Sequence, residues 1–263
     1  MARRSPLITV MAAAADKAAR ALLRDFNEVE HLQVSRKGPN DFVSAADLRA
    51  ERTLKEELAR ARPKFGFLME ESGASGSAEE GRWIVDPLDG TLNFLHAVPH
   101  FCISIGAEQH GELVAGVVFD PLRDETFWAE KGQGAYVNHR RLRVTNRDKL
   151  AECLVGHGRA AADDTEAVGR FQEQVTRVLN HTRDVRRLGV AALDLAYVAA
   201  GRLDGFWEEK LHPWDIAAGA VLVREAGGYI TGIDGSDLDL ERGDVLAANP
   251  RLHGVLHKVL AGH

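Results

Sequence analysis

The run Trp83-Ile84-Val85-Asp86-Pro87-Leu88-Asp89-Gly90-Thr91 constrains this chain more than any other stretch. Three consecutive large apolar residues suit a buried strand. They lead straight into an acid, a proline and a second acid, with Gly90 free to turn the backbone sharply. A second apolar run, Phe65-Gly66-Phe67-Leu68-Met69, also ends in acid, at Glu70-Glu71. Strand ends are good places for a site, because the regular element fixes where the terminal side chains sit. Asp86 and Asp89 are three residues apart. One stiff turn therefore aims both carboxylates, and the Leu88 carbonyl, at a single point. A hard cation such as Mg2+ takes an all-oxygen set of this kind, and like charges so close are costly without one. By spacing alone the same residues also make an ordinary surface turn.

The rest of the chain reads as mixed helix and strand. Leu7, Met11, Ala14, Ala15, Ala18, Leu22 and Phe26 recur at helical spacing and predict an amphipathic first helix. The basic residues near Met1 and the small residues before Asp16 loosely imitate a secretory signal, yet the helical pattern continues through Asp16 and Lys17. A packed helix is the better reading. Residues 40–46 carry turn-forming side chains. Residues 47–62 read as a helix with Leu48, Leu54 and Leu58 inward and Pro63 as its stop. Residues 72–81 form a Gly/Ser/Glu-rich loop. Strand-like segments at 101–107, 113–119, 125–129 and 134–137, separated by turn residues, predict a mainly antiparallel meander.

After residue 150 the rhythm changes. Strands are predicted at 153–155, 204–207, 229–231 and 244–247, and helices at 165–179, 190–200, 215–226 and 250–260. Gly227-Gly228 closes the third of these helices, and the acid Asp215 opens it at the positive end. No repeat and no long linker divides the chain. It is expected to form one α+β domain over 1–263, in approximate halves of 1–150 and 151–263.

Composition removes several function classes. The chain has 263 residues, enough for a substantial core, and a net charge of −6. General attraction to nucleic acid or to an anionic membrane is not expected. Only Cys102 and Cys153 occur, so a disulfide scaffold is excluded. No apolar stretch approaches the roughly 20 residues that span a bilayer. A cytoplasmic globular protein is expected. The eleven histidines show no zinc-type grouping. No Gly-rich nucleotide fingerprint follows a strand, and Gly132-Gln133-Gly134 reads as a hairpin turn.

Taken together, the motifs are more specific. Met69-Glu70-Glu71-Ser72, the run from Trp83 to Phe94, Trp214-Asp215-Ile216-Ala217-Ala218-Gly219 and Glu225-Ala226-Gly227-Gly228 resemble the inositol monophosphatase family, most of all its bacterial SuhB-type branch. The likeness extends from about Lys37 to Pro250. It implies a layered αβαβα sandwich, a homodimer, and Li+-sensitive hydrolysis of phosphate monoesters with two to three Mg2+ ions. By that resemblance Glu70, Asp86 and the Leu88 carbonyl hold one ion. Asp86, Asp89 and Asp215 hold a second, and Glu70 reaches a third. Asp47 and Thr91 match the pair that orients and deprotonates the attacking water, with Glu70 beside them. The Gly90 and Thr91 amides face the phosphate, a usual role for amides at a helix start.

Substrate contacts are expected in the second half, at Glu208, Ala191 and Arg186, together with Asp89 and Asp215. Glu208, seven residues before Asp215, matches the acid that accepts hydroxyls of the inositol ring. A buried acceptor rewards a polyol, since leaving it unpaired is costly. Leu92 and Val190 depart from the family pattern, and Val190 removes a hydroxyl near the substrate. Gly156-His157-Gly158-Arg159 is also unlike the usual wording and takes no role by resemblance. The leading expectation is hydrolysis of inositol-1-phosphate. Histidinol-phosphate phosphatase and 3′,5′-bisphosphate nucleotidase share the same motifs. The alternative of a different class is a regulatory binding protein that keeps the fold. His139-Arg140-Arg141-Leu142-Arg143 and Arg183-Asp184-Val185-Arg186-Arg187 would then meet a protein or RNA partner.

Overall fold

The computed structural model describes residues 4–28, 34–38, 41–159 and 164–262; Met1, weighed above in a signal-like stretch, and Asn40, read above as part of a turn, lie outside them. Helix α1, Pro6–Asn27, is capped by Ser5, whose hydroxyl accepts from the Ile8 amide at 3.2 Å, with proline at the first helical position. The predicted apolar face is buried, and Phe26 packs half-buried at its end. Helix α2, Ala45–Ala61, stops before Pro63. Its inner stripe is Ala46, Asp47, Ala50, Glu51, Leu54 and Leu58. Leu48 is 49% exposed, against the expectation. Six residues before Leu54 is 600° of helix rotation, which turns Leu48 away from the core. Strands β1, Val34–Gly38, and β2, Asp41–Ser44, pair antiparallel where turn residues suggested only a bend.

An eight-stranded sheet contains β3 (Gly66–Met69), β4 (Gly73–Ser75), β5 (Arg82–Asp89), β6 (Cys102–Gln109), β7 (Glu112–Asp120), β8 (Glu125–Glu130), β9 (Gly134–Val137) and β10 (Arg140–Arg141), in the order β10-β9-β8-β7-β6-β5-β3-β4. From β5 to β10 it is the expected antiparallel meander. β3 instead runs parallel to β5, with Met69 opposite Val85. That register sets Glu70 and Asp86 side by side. β4 lies inside the segment read as a loop; its short Gly-Ala-Ser sequence carries no hydrophobic alternation to announce it.

A five-stranded sheet orders β12 (Asp184–Arg186), β11 (Leu154–His157), β13 (Gly205–Glu208), β15 (Val245–Ala248) and β14 (Tyr229–Thr231). β12 was legible only as a charge run, because an edge strand of three residues buries no apolar face. The remaining helices are α3 (Thr91–Leu95), α4 (Thr165–His181), α5 (Ala191–Ala199), α6 (Pro213–Glu225) and α7 (His253–Ala261). Helices α1 and α2 cover one face of the large sheet. Helices α5 and α6 fill the space between the sheets, and α4 and α7 cover the outer face of the small one. This is the αβαβα layering, and three hydrophobic clusters occupy the spaces between layers.

The middle layer is tight. A β-carbon on Gly106 would lie 2.7 Å from Ala217 Cβ, and one on Gly116 would lie 2.4 Å from the Ala218 carbonyl oxygen. Small residues on both sides let α6 lie directly on β6 and β7. The helix that carries Asp215 is thereby pressed against the sheet that carries Asp86.

Candidate active site

Asp86 and Asp89 owe their arrangement to an irregularity in β5. Asp86 pairs with Ser104 and Asp89 with Cys102, so three steps on β5 face two on β6. Such a bulge re-aims side chains, and Pro87 sits in it without an N–H to waste. The Leu88 amide donates to Asp86 Oδ1 at 2.8 Å, while its side chain anchors in the core. Asp215 is the third residue of α6. The His212 amide donates to its Oδ2 at 2.8 Å, closing the helix start that Pro213 opens. Ser104 Oγ donates to the Trp214 carbonyl at 3.0 Å, tying that start to β6.

One oxygen from each of Asp86, Asp89 and Asp215 lies within 4.8 Å of the others. Asp86 also makes carboxyl–carboxyl contacts with Glu70 on one side and Asp215 on the other. Burial pushes the Asp86 carboxyl far above the usual carboxylate range, and the charges of Glu70, Asp89 and Asp215 push it further. Burial and Asp215 do the same to Asp89, opposed by the Ala192 amide that donates to its Oδ2 at 2.8 Å. Burial also raises Asp215, against its bond from His212. Among the described residues, the positive charge that acts on this trio is that of His212, which pulls Asp215 down. Asp86, Asp89 and Asp215, with Glu70 against Asp86, offer a buried set of hard oxygen donors that fits a divalent cation.

Glu70 stands at the end of β3, and its amide donates to the Val85 carbonyl at 3.2 Å. The turn after it is pinned by Glu51 of α2, whose Oε2 accepts from the Glu71 amide at 2.9 Å and from Ser72. Glu51 carries no sequence motif, and only the fold brings it here.

Asp47 and Thr91 meet. Thr91 Oγ1 lies 3.0 Å from Asp47 Oδ1 and 3.1 Å from the Leu88 carbonyl oxygen. One hydroxyl proton serves one acceptor at a time, and the lone pairs stay open to a further donor. Asp47 is buried in the first turn of α2. Gly90, between Asp89 and Thr91, has φ +99°, and a β-carbon there would lie 2.9 Å from Val190 Cγ2. Both the turn and the close approach require glycine. The amides of Gly90 and Thr91 begin α3, where helical N–H groups lack intrahelical acceptors.

On the other side of the acids, Glu208 ends β13 half-buried. Its Oε1 accepts from the Arg159 amide at 3.0 Å. Burial pushes its pKa up to about 7, against that amide's pull, and Asp215 adds to the rise. Ala191 is the first residue of α5 and is buried next to the amide that holds Asp89. Arg186 is placed elsewhere. It is exposed and bound to Asp184 and to the Val185 carbonyl. Its neighbour Arg187 is the arginine whose charge acts on Glu208. Successive residues of an extended segment point to opposite sides, which a count along the sequence does not resolve. Leu92 is 50% exposed on α3, and Val190 is buried over Gly90.

Residues 3–263 match the inositol monophosphatase family. The chain is 52% identical to an inositol-1-monophosphatase of Mesorhizobium japonicum, over 98% of this chain and 97% of that one. It is 41% identical to a putative Nus factor SuhB of Neisseria meningitidis, over 98% and 99%. The crystal structure of extragenic suppressor protein suhB from Bartonella henselae superposes with a TM-score of 0.94 at 48% identity, covering 97% of this chain and 98% of that one. With the five layers and the acid-rich strand ends, these likenesses establish that the chain belongs to the inositol monophosphatase family, a family of phosphatases.

Proposed function

We propose that this chain hydrolyses inositol-1-phosphate to inositol and phosphate, using Mg2+ held by Asp86, Asp89, Asp215, Glu70 and the Leu88 carbonyl. The observation that carries the reading is the Thr91–Asp47 hydrogen bond beside a cluster of buried acids. A divalent cation bound there supplies positive charge for the phosphate oxygens and for the departing alkoxide. The chain's own residues do the rest. Thr91 Oγ1 takes one proton from the attacking water as it passes its own hydroxyl proton to Asp47, which returns it to solvent. The water oxygen bonds to phosphorus, the ester P–O bond breaks, and the alcohol oxygen takes a proton from solvent. The Gly90 and Thr91 amides bind the phosphate, and Glu208 accepts from a ring hydroxyl. Ala191 borders the same space. The names of relatives near 50% identity support inositol phosphate over histidinol phosphate or 3′,5′-bisphosphate nucleotides.

We further propose a homodimer sensitive to Li+ and working in the cytoplasm. The described helices include none long and apolar enough to cross a membrane. A second role beside catalysis, as a partner of protein or RNA, is favoured by the SuhB-named relatives. The basic runs at Arg140–Arg141 and Arg183–Arg187 lie at or beside edge strands β10 and β12, where both are exposed.

The test is phosphate release from inositol-1-phosphate, histidinol phosphate, 3′-phosphoadenosine 5′-phosphate and fructose-1,6-bisphosphate, with Mg2+ titrated and Asp86→Asn as control. Mg2+-dependent turnover led by inositol-1-phosphate and lost in the variant supports the reading. Preference for another ester overturns the role of Glu208, and no turnover overturns the enzyme.

A further inference from the structure

Strand β11 ends at His157, and the chain leaves it through Gly158-Arg159. β13 runs parallel beside it, with His157 opposite Trp207, so Gly158 and Glu208 emerge together from the same end of the sheet. The two residues compete for one volume. A β-carbon on Gly158 would lie 1.6 Å from Glu208 Cδ, 1.9 Å from Oε1 and 2.1 Å from Oε2. Those separations are bonding distances, so the carboxyl fills the space that any side chain at 158 needs. Gly158 is not among the glycines with positive φ, so space rather than backbone conformation calls for glycine.

The surrounding bonds hold the carboxyl in that space. The Gly158 amide donates to the Trp207 carbonyl at 3.1 Å, tying the loop to β13 one residue before Glu208. The next amide, of Arg159, donates to Glu208 Oε1 at 3.0 Å. His157 Nδ1 lies 2.9 Å from the Gly158 carbonyl oxygen and steadies the turn from behind. With Oε1 engaged by backbone, Oε2 is the oxygen left to a ligand hydroxyl.

We propose that Gly158 is a positioning residue. By carrying no side chain, it seats the Glu208 carboxyl on the Arg159 amide and so sets selectivity for phosphate esters of polyols. The inference rests on the reading that Glu208 faces the alcohol portion of the substrate. It assigns a role to the segment in which this chain departs from the family's usual wording.

Three variants test it: Gly158→Ala, Glu208→Ala and the double variant, with kcat, KM for inositol-1-phosphate and Tm measured for each. Gly158→Ala is expected to raise KM about tenfold, the weight of one lost hydrogen bond, with a smaller effect on kcat. In the Glu208→Ala background the same substitution is expected to change neither KM nor Tm, because the group it collides with is gone. Equal costs in both backgrounds overturn the proposal, as does an unchanged KM in the single variant. If Gly158→Ala does not fold, a folded double variant supports the seat, and failure of both overturns it. Absence of wild-type turnover on any polyol phosphate sinks the functional reading separately. In that case the Tm values decide: coupling between 158 and 208 supports the seat, and additive costs overturn it.

Discussion

Thr91 and Asp47 are 44 positions apart in sequence, yet the threonine hydroxyl lies 3.0 Å from the aspartate carboxylate. α2 presents Asp47 in its first turn, and α3 begins at Thr91 directly after the bulged end of β5. On the proposed function, this hydroxyl and the buried acid that orients it activate the attacking water. Thr91→Ala and Asp47→Asn are expected to lower kcat by about 10²–10⁴-fold with little change in KM, and Thr91→Ser to retain most activity. Steady-state phosphate release decides it; a change confined to KM would contradict the assignment.

Removing divalent ions makes stability depend on pH in a defined direction. The folded-state pKa values of Asp86, Asp89 and Asp215 are raised above the ordinary 3.8. The folded, metal-free chain therefore holds protons that the unfolded chain has released. Stability is present at low pH and is lost as pH rises from about 4 upward through the raised values. Urea midpoints in EDTA are expected to fall between pH 5 and pH 8, and Mg2+ to restore them, by about 2.7 kcal/mol at a hundredfold excess over Kd. Asp86→Asn is expected to flatten the EDTA profile. A midpoint that rises with pH in EDTA would contradict the acidic cluster.

Glu208 titrates near neutrality, at about 7 against an ordinary 4.5. Its contribution to stability is fully present below about pH 4.5 and is lost as pH rises to about 7. Binding runs the other way, because a carboxylate is the better acceptor for a hydroxyl. KM for inositol-1-phosphate is expected to fall between pH 6 and pH 8 in the wild type and to stay flat in Glu208→Gln. A pH-independent wild-type KM would remove Glu208 from substrate binding.

The two faces of α2 are distinguished by simple truncations. Leu54 is fully buried and Leu48 is 49% exposed. Leu54→Ala is expected to cost about 2–5 kcal/mol, and Leu48→Ala within about 0.5 kcal/mol, by urea denaturation. Similar costs at both positions would mean the helix packs in a different rotation.

Close packing of α6 gives a further check. Gly116→Val places bulk where a β-carbon alone would approach the Ala218 backbone to within 2.4 Å. The expected result is a loss of at least about 1–3 kcal/mol together with weaker Mg2+ binding, since the backbone that must move carries Asp215. Mg2+ affinity measured calorimetrically on the folded fraction separates that coupling from simple destabilisation.

Much of the candidate site was legible along the chain because it is built on strand ends and a helix start. An apolar run that stops in an acid marks such a place whatever surrounds it, so Glu70, Asp86, Asp89 and Asp215 could be named from sequence. Leu48 was misplaced because a leucine in a helical period looks inward until the rotation of the true buried stripe is known. Arg186 bonds Asp184 and the Val185 carbonyl while the charge of Arg187 acts on Glu208, a difference of one step along an extended segment that a count along the sequence does not resolve. Strands β4 and β12 were missed because three residues at a sheet edge bury too little to leave a pattern.

By itself, then, the sequence determined which chemical groups stand at the ends of which elements, since local patterning and turn chemistry act over a few residues. Only the tertiary structure decided which of those ends meet. It placed Asp47 on Thr91, Glu51 under the turn after Glu70, the Ala192 amide on Asp89, and the carboxyl of Glu208 in the space Gly158 leaves empty. Those contacts join residues 20 to 103 positions apart. They exist because five layers pack closely on one another, a constraint that acts on volumes in space and leaves no mark on neighbours in the chain.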